Sequence, residues 1–301
     1  MRIAITGSTG FIGSALVQWF TSQQHSLTRF VRSPSFQDPH HSIALWDPQK
    51  KIIDLSSLEN HDVVVHLAGE NVAKKKWTEE QKTKIKESRV QGTVFLCESL
   101  AKLQNPPKLF LSASAIGFYG DRDPQEKIDE SSSPGHGFLP EIAQAWEKAT
   151  EAAQNKGIRV VHMRFGLVLA RHGGALSRML PLFKLGLGGR VGSGKQIMSW
   201  ISLYEIGPII SHLMQHEEIS GPVNFVSPEP LSNEEFSHIL AQSLSRPAFF
   251  PLPSFMARLL LGEMADELLL SGAHVIPRKL QESGYSFKFP FLQEALRHLL
   301  Q

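Results

Sequence analysis

The chain contains one cysteine, Cys97, among its 301 residues, so no disulfide can form within it. Small secreted domains usually depend on several disulfides, whereas a lone thiol is typical of a reducing compartment. No apolar run reaches the length needed to cross a bilayer. The first predicted strand begins at residue 2, and no targeting segment is visible before it. We therefore expect a cytoplasmic protein.

The chain also lacks an excess of charge of one sign. It has 31 Lys and Arg residues against 29 Asp and Glu residues, a formal net charge of +2. Such a balance does not favour a polyanion or an anionic surface as a partner. We therefore expect no nucleic acid and no membrane partner, and a small molecule as the substrate.

Apolar strands alternate with amphipathic helices over the first half of the chain. Strands are predicted at residues 2–6, 27–31, 42–46, 62–67, 107–112 and 158–165, and helices at residues 11–23, 78–103 and 138–156. The strand at 62–67 contains a continuous apolar run at its centre, Val63–Val65, as expected of a central parallel strand. This alternation predicts an α/β fold of the Rossmann type, with a doubly wound parallel sheet.

The pattern changes after about residue 170, where glycine-rich and proline-rich stretches separate shorter elements. We predict a Rossmann domain over residues 1–170 and a small C-terminal α/β lobe with a helical tail over residues 171–301. The two are expected to interleave, with the lobe lying over one edge of the sheet. The chain is expected to be a monomer or a homodimer.

A glycine-rich loop joins the first strand to the first helix. Its glycines, Gly7, Gly10 and Gly13, are spaced as in dinucleotide-binding loops. The first allows a tight turn, the second lets the backbone approach a pyrophosphate, and the third lets the helix pack closely on the strand. The amides at the helix start then face the anion. The predicted cofactor loop comprises Gly7, Ser8, Thr9, Gly10, Phe11, Ile12 and Gly13.

The end of the second strand distinguishes between two nicotinamide cofactors. An acidic residue about 20 positions after the glycines would hold the ribose of NAD. Arg32 stands there instead, and no acid follows before Asp38. An arginine can pair with a 2′-phosphate and stack on adenine. The sequence therefore predicts NADP(H) as the cofactor.

Several segments carry a resemblance to a known family. They are Leu67-Ala68-Gly69-Glu70-Asn71, Trp77-Thr78-Glu79-Glu80, Ser112-Ala113-Ser114-Ala115-Ile116-Gly117-Phe118-Tyr119-Gly120, Gly188-Gly189-Arg190-Val191-Gly192-Ser193-Gly194, Arg246-Pro247-Ala248-Phe249-Phe250-Pro251 and Leu261-Gly262-Glu263-Met264. With the glycine loop, they resemble the extended short-chain dehydrogenase/reductases. The closer resemblance is to the epimerase-like branch, also described as sugar-nucleotide epimerases or "cell division inhibitor"-like proteins, which carries a C-terminal domain of unknown function.

This resemblance implies further residues at the cofactor. Small residues after the strand at 62–67 would pass beside the riboses, and an arginine of the following helix would lie near the cofactor. Residues near the ends of the two later strands would flank its nicotinamide side. The implied residues are Leu67, Ala68, Gly69, Arg89, Ser112, Arg164 and Leu167.

The catalytic pair of the superfamily is absent. Active members use a serine together with a tyrosine four residues before a lysine, which lowers the pKa of the phenol for proton exchange. The chain has three tyrosines, and none is followed four residues later by a lysine. Phe138 and Ile142 occupy the two places instead.

Two hypotheses about function remain open. In the first, the protein is an NADP-dependent oxidoreductase or epimerase-like enzyme on a small, nucleotide-sugar-like substrate. Ser114 would polarise the reacting oxygen, and Tyr119, Glu70 or Glu141 would exchange the proton. In the second, the protein binds NADP(H) without catalysis and acts as a sensor or an interaction protein.

Other motifs have simpler interpretations. The stretch 189–196 approaches a triphosphate-binding loop, but Gln196 replaces the Ser or Thr that would hold magnesium. His212 and His216 share a helical face but lack the glutamate of a metalloprotease motif and a third ligand, so we expect no metal site. The run Lys74–Lys76 is interpreted as a solvated turn.

Overall fold

The computed structural model describes residues 1–33 and 35–301. Its strands, in chain order, are β1 (Arg2–Thr6), β2 (Ser26–Val31), β3 (Ser42–Asp47), β4 (Ile52–Ile53), β5 (Val63–His66), β6 (Leu109–Ala115), β7 (Lys127–Ile128), β8 (Arg159–Phe165), β9 (Leu167–Leu169), β10 (Ile197–Met198), β11 (Trp200–Ser202), β12 (Gly221–Phe225), β13 (Leu231–Ser232) and β14 (His274–Val275).

The helices alternate with these strands in the first half of the chain and dominate its last third. They are α1 (Phe11–Ser22), α2 (Glu79–Ala101), α3 (Phe138–Lys148), α4 (Glu151–Asn155), α5 (Gly174–Lys184), α6 (Leu203–Gln215), α7 (Asn233–Ser243), α8 (Ser254–Leu261), α9 (Glu263–Ala265), α10 (Arg278–Glu282) and α11 (Leu292–Leu300). A 3-10 turn spans Ile116–Tyr119, and a π-helical turn spans Asp266–Leu270.

The central sheet has the order β12-β8-β6-β5-β1-β2-β3-β4. Its first seven strands in this order are parallel, and β4 pairs antiparallel with β3. The order reverses between β1 and β5, where β2 and β3 extend the sheet on one side and β6, β8 and β12 on the other. The predicted doubly wound parallel fold is confirmed. Such sheets bind ligands at the carboxyl ends of the strands that flank this reversal.

Side chains of β1 alternate between two apolar layers. Ile3 and Ile5 face α1 and α6, where Leu16, Phe20, Ile209 and others fill one core. Ala4 faces the opposite side, where a second core lies against α2 and α4. Strands buried on both faces read as continuous apolar runs, which explains why β5 has no polar alternation.

The chain after residue 170 has a core of its own and also returns to the central sheet. α5, α7 and α11 enclose that core around Trp200, Phe183 and Phe236. β12 lies at the edge of the central sheet, beside β8, with Gly221 opposite Val161. The second part of the chain therefore completes the sheet that the first part begins.

The predicted helix at 138–156 is interrupted. α3 ends at Lys148, and α4 starts at Glu151. Between them, the buried hydroxyl of Thr150 donates to the carbonyl oxygen of Glu147, 2.8 Å away. A hydroxyl that bonds the backbone nearby competes with helix continuation. The strand predicted at 107–112 extends to Ala115, so Ser114 lies inside β6.

The starts of α2 and α7 carry side-chain caps. Ser232 and Glu235 form a reciprocal capping box at α7. At α2, the Thr78 side chain accepts from the backbone of Gln81. In residues 1–33 and 35–301, none of the helices has the length and apolar character needed to cross a bilayer.

Candidate functional site

A cavity of about 420 Å³ lies at the carboxyl ends of β1 and β5. This volume is within the usual range for small-molecule sites. The predicted cofactor residues that line it are Gly7, Ser8, Thr9, Gly10, Arg32, Leu67, Ala68 and Gly69. Residues that the sequence analysis did not assign to the cofactor complete the wall: Phe30, Val31, Trp46, Pro48, Gln49, Glu70, Lys84, Glu87, Ser88, Gln91 and Gly92.

The glycine loop has little space for side chains at two of its glycines. Gly7 has a φ of +70°, and a Cβ there would lie 2.7 Å from the carbonyl carbon of Leu67. A Cβ at Gly13 would lie 2.1 Å from the carbonyl oxygen of Gly7. Non-bonded heavy atoms cannot approach so closely without a backbone shift. The loop therefore sits tightly between α1 and the end of β5.

The start of α1 faces this loop without a side-chain cap. Gly10 is its N-cap residue and cannot provide a capping oxygen, and the first turn of the helix carries no acidic residue. Unsatisfied amides at a helix start attract anions. The opening of α1 can therefore receive a negatively charged group.

Arg29 holds the loop from behind, and the sequence analysis did not single it out. Its Nε donates to Ser8 Oγ at 3.1 Å, and its Nη2 donates to the carbonyl oxygen of Ser8 at 3.3 Å. Asp38 pairs with the same guanidinium, and its pKa lies well below the usual range through bonds to His41, His40 and Arg29 that outweigh its burial. An arginine inside a short strand is uncommon. This unusual position is the feature of the sequence that could have identified Arg29.

Arg32 is exposed and lines the cavity at the end of β2. Lys84 lines it as well, as do the acidic residues Glu70 and Glu87. Trp46, Pro48 and Gln49 reach the cavity from β3 and the turn after it, because β3 pairs with β2. No pattern in the sequence distinguished these three residues from ordinary strand and turn residues.

Arg89 lies beside the loop after β5 rather than in the cavity wall. Its Nη1 donates to the carbonyl oxygens of Glu70, at 2.8 Å, and Ile85, at 3.1 Å. Burial lowers the pKa of this guanidinium to about 10. Its aliphatic chain runs past Gly69, where a Cβ would lie 3.4 Å from Arg89 Cγ. Arg89 thus shapes the loop 67–70.

The remaining predicted residues are not part of the cavity wall. Phe11 lies under Gly173 and Gly174, and Ile12 packs against the core below the sheet. Leu167 pairs with Trp200 in the small β9–β11 sheet. Ser112 is buried in β6, and its Oγ has no hydrogen-bond partner within residues 1–33 and 35–301. Their assignment to the cofactor stays a prediction.

Ser114 and Arg164 belong to a buried polar network around Glu147. Ser114 Oγ donates to Glu147 Oε1 at 2.7 Å. Arg164 forms a two-pronged ion pair with the same carboxylate, with Nε–Oε1 and Nη2–Oε2 both at 2.8 Å. Two parallel N–H donors fix the geometry of such a pair. The Ser114 hydroxyl is therefore directed towards α3, not towards the cavity.

Tyr119 continues this network. Its hydroxyl accepts from Arg164 Nη1 and donates to Asn224 Oδ1, both at 2.8 Å. The backbone amide of Asn224 then donates to Glu130 Oε1 at 3.0 Å. Tyr119 is 0% exposed, and burial raises its pKa to about 12. The structure does not bring Tyr119 to the cavity, and its proposed role in proton exchange stays a prediction.

The positions of the absent tyrosine and lysine are apolar in three dimensions as well. Phe138 stacks edge-on against Trp77, with ring centroids 4.9 Å apart, and Lys82 Nζ lies 4.8 Å above its ring. Ile142 is buried. Of the two alternative carboxylates, Glu70 lines the cavity and Glu141 is exposed on α3.

Side chains of the other sequence motifs are bonded to neighbouring groups. Gln196 is buried, and its Nε2 donates to the carbonyl oxygens of Val191 and Leu269, so the stretch 189–196 is a loop held to its own lobe. His212 bonds Ser283 and His216 bonds Glu218. No group of three or more His, Cys, Asp or Glu side chains placed to hold a metal occurs in residues 1–33 and 35–301.

A buried histidine supports the strands beneath the cavity. His66 bonds Thr6 Oγ1 through Nδ1 at 2.7 Å and Thr93 Oγ1 through Nε2 at 3.0 Å. Burial lowers its pKa from 6.5 to about 3. The folded state therefore keeps this imidazole neutral, whereas the unfolded chain protonates it below about pH 6.5.

This difference predicts an acid-sensitive fold. The neutral imidazole of His66 contributes this stability fully above pH 6.5, and the contribution is lost as the pH falls towards 3. Between pH 7 and 5, the free energy of unfolding falls by about 2 kcal/mol. Urea unfolding at pH 7 and at pH 5 gives the free energy of unfolding of each variant. Between these pH values, we expect it to fall by about 2 kcal/mol less in His66→Asn than in the wild type. His172→Gln, at an exposed position, should retain the wild-type loss. Equal pH dependence in wild type and His66→Asn would contradict the prediction.

Comparison with known proteins agrees with the predicted family. Residues 3–225 match the NAD dependent epimerase/dehydratase family, and residues 252–299 match the domain of unknown function DUF1731. An epimerase family protein of Mycobacterium leprae is 39% identical over 298 residues, which cover 98% of this chain and 94% of the relative.

Three solved structures are similar over essentially the whole chain. The human epimerase family protein SDR39U1, crystallised with NADPH, superposes with a TM-score of 0.90 at 33% identity, covering 99% of each chain. A nucleoside-diphosphate sugar epimerase from Corynebacterium glutamicum gives 0.80 at 33% identity, covering all of this chain and 58% of the other. The UDP-glucose 4-epimerase of Thermus thermophilus, at 18% identity and a TM-score of 0.75, shares the fold.

Proposed function

The chain belongs to the NAD dependent epimerase/dehydratase family, and from the cavity at its glycine loop we propose that it binds NADP(H). The pyrophosphate would lie at the uncapped start of α1, against the backbone of Gly7 to Gly10. The riboses would pass Leu67 to Gly69. Arg32 would meet the 2′-phosphate of the adenosine.

One observation carries this proposal: the backbone around the cavity leaves no room for side chains where a dinucleotide needs close approach. A Cβ at Gly7 would contact the backbone of Leu67 at 2.7 Å, and the helix start at Gly10 is open to an anion. The end of β2 provides Arg32 instead of an acid, which suits a phosphate better than a free ribose hydroxyl. SDR39U1, a 33% identical relative, was crystallised with NADPH.

We propose that the chemistry is that of an oxidoreductase or epimerase-like enzyme on a small, nucleotide-sugar-like substrate. The similar protein from Corynebacterium glutamicum, described as a nucleoside-diphosphate sugar epimerase, supports this class. Bound NADPH would supply a hydride. Ser114 would have to release Glu147 to polarise a reacting oxygen. Glu70 is the carboxylate of the cavity wall that would then exchange a proton.

A second candidate function is favoured by the burial of Tyr119. Its hydroxyl is fully occupied by Arg164 and Asn224, and Phe138 and Ile142 replace the usual proton-exchanging pair. A protein of this kind would bind NADP(H) and report its redox state through a partner. Both candidate functions use the same cofactor site, but only the enzyme converts a substrate.

Titration calorimetry with NADPH and NADH tests the proposed cofactor. We expect the wild type to prefer NADPH, and Arg32→Ala to weaken NADPH binding by about 10–100-fold, the usual effect of losing a charge-assisted hydrogen bond. NADH binding should change little. The matched control is Arg297→Ala, an exposed arginine on α11.

The titrations test the binding of the cofactor and the contact of Arg32 with the 2′-phosphate separately. No binding of either cofactor to the wild type would reject the proposal, and equal weakening of both cofactors in Arg32→Ala would reject the 2′-phosphate contact. Nucleoside-diphosphate sugars are then added to the NADPH complex. Loss of the reduced-nicotinamide absorbance would support an oxidoreductase. Conversion of a sugar to its epimer at constant absorbance, measured with NADP+ bound, would support an epimerase. The absence of both changes across the panel would favour the sensor.

A further inference from the structure

An extended apolar surface remains uncovered on the C-terminal lobe. It is formed by nine large side chains on two segments, which we call the apolar face: Leu182, Leu185, Leu187, Phe249, Phe250, Phe255, Met256, Leu259 and Leu260. Phe249 is 80% exposed and Leu259 is 78% exposed. Single exposed apolar residues are ordinary, but a group of this size usually marks an interaction surface.

The two segments are held side by side. Arg246 Nε donates to the carbonyl oxygen of Lys184 at 2.8 Å, and a Cβ at Gly186 would lie 3.5 Å from Pro247 Cγ. Further along, the amide of Leu252 donates to the carbonyl oxygen of Arg190 at 2.9 Å. α8 begins directly after this pairing and buries Ala257 as its one fully buried residue. The end of α5, the Phe249–Phe250 turn and α8 therefore form one region of the lobe.

The two segments that carry the apolar face contain basic residues and no acidic ones. Residues 171–204 and 236–262 contain no Asp or Glu, whereas they contain Arg171, Arg178, Lys184, Arg190, Lys195, Arg246 and Arg258. Arg190 and Arg258 pair with acids of neighbouring segments. Lys184 and Arg246, which adjoin the exposed leucines and phenylalanines, form no ion pair within residues 1–33 and 35–301. The region thus joins apolar side chains to free positive charge.

The combination of exposed apolar side chains and positive charge restricts what could bind to the apolar face. A second copy docked through the same face would place Lys184 and Arg246 of both copies in one interface, where the two segments offer no acid to pair with them. A bilayer with anionic headgroups offers negative charge beside an apolar interior. The Phe249–Phe250 turn also lies among Pro247, Pro251 and Pro253. Proline has no backbone N–H to leave without a partner in lipid.

We propose that the apolar face docks the protein on the surface of an anionic lipid bilayer. The phenylalanines and leucines would enter the boundary between headgroups and acyl chains, with Lys184 and Arg246 at the phosphate level. The near-neutral charge of the whole chain concealed this region, because acidic residues are concentrated elsewhere in the sequence. From the sequence we expect no membrane partner, and the proposed binding departs from that expectation in one respect, surface docking without a spanning helix.

Vesicle flotation of the full chain tests the proposal. With phosphatidylcholine vesicles containing about one third phosphatidylglycerol, we expect the protein to float with the lipid, and with phosphatidylcholine alone to stay behind. Salt at about 1 M should release much of it, because the Debye length falls to about 3 Å. Phe249→Ser/Phe250→Ser and Leu259→Ser/Leu260→Ser should each lower the partition coefficient at least about tenfold.

Matched controls lie far from the face. Ile52→Ser removes an exposed apolar side chain from β4, at the opposite edge of the central sheet, and should leave partitioning unchanged. Lys184→Gln should weaken binding about fivefold, whereas Lys156→Gln, at the exposed end of α4, should not. Each replaced side chain is exposed, so thermal unfolding should match the wild type.

Three results would overturn the proposal. The first is that the wild type fails to float with anionic vesicles. The second is that the two double variants float as well as the wild type. The third is that light scattering shows a wild-type oligomer that the double variants dissociate, which would assign the face to self-association.

Discussion

Glu147→Ala is expected to lower the free energy of unfolding by about 3–5 kcal/mol, as usually observed when one partner of a buried ion pair is removed. Glu147 lies between Arg164 and Ser114, and the guanidinium of Arg164 would be left buried with an uncompensated charge. The pair with Glu147 raises the pKa of Arg164 in spite of its burial. Without Glu147 the arginine still cannot escape the cost by losing its proton, because a guanidinium is not deprotonated in proteins. Urea unfolding measures the change.

Two further variants identify the cause. Glu151→Ala removes an exposed glutamate from α4 and should change stability by less than about 0.5 kcal/mol. The double variant Glu147→Leu/Arg164→Met should recover most of the loss, because an apolar replacement leaves no unpaired charge. If Glu147→Ala cost no more than Glu151→Ala, the network would contribute nothing measurable, and its role in holding Ser114 and Tyr119 would have to be abandoned.

Gly13→Ala is expected to weaken NADPH binding by at least about 100-fold, through the displacement of α1 from the loop rather than the loss of a contact. The added methyl group would sit 2.1 Å from the carbonyl oxygen of Gly7 and 2.9 Å from Ser8 Cα. Neither atom belongs to a side chain that could turn away. The helix start and the loop must therefore separate, and both would hold the pyrophosphate. Calorimetric titration measures the affinity.

Gly92→Ala provides the matched control for this variant. Gly92 lines the same cavity from α2, but a Cβ there would come no closer than 3.8 Å to its nearest neighbour, in Trp46. Alanine should also favour the helix by about 1 kcal/mol. We expect its affinity for NADPH to remain within about threefold of the wild type. An unaffected Gly13→Ala, or an equally damaged Gly92→Ala, would show that the loop tolerates displacement.

Most of the central sheet could be predicted because its strands are apolar, short and separated by helices of regular period. The glycine loop could be predicted because strand, glycines and helix stand next to each other in the sequence. Arg32, Leu67, Ala68 and Gly69 line the cavity as expected from their places at strand ends. These features depend on residues that are close together in the chain, so a single sequence is enough to predict them.

The buried network could not be predicted, because it joins residues that are distant in the chain. Tyr119 and Asn224 are separated by 105 positions, and Ser114 and Glu147 by 33. Nothing near Tyr119 in the sequence shows that its hydroxyl is occupied. The apolar face was hidden for a related reason, since leucines and phenylalanines suggest a core until their exposure is known.

The place of β12 has a consequence for how the protein is made. β8 spans residues 159–165, but its outer neighbour β12 is supplied only by residues 221–225. During synthesis on the ribosome, β8 therefore remains an unprotected sheet edge while more than fifty further residues are added. Exposed parallel edges invite pairing with other chains. We therefore expect the nascent protein to be most prone to pairing with other chains in the interval between the synthesis of β8 and that of β12.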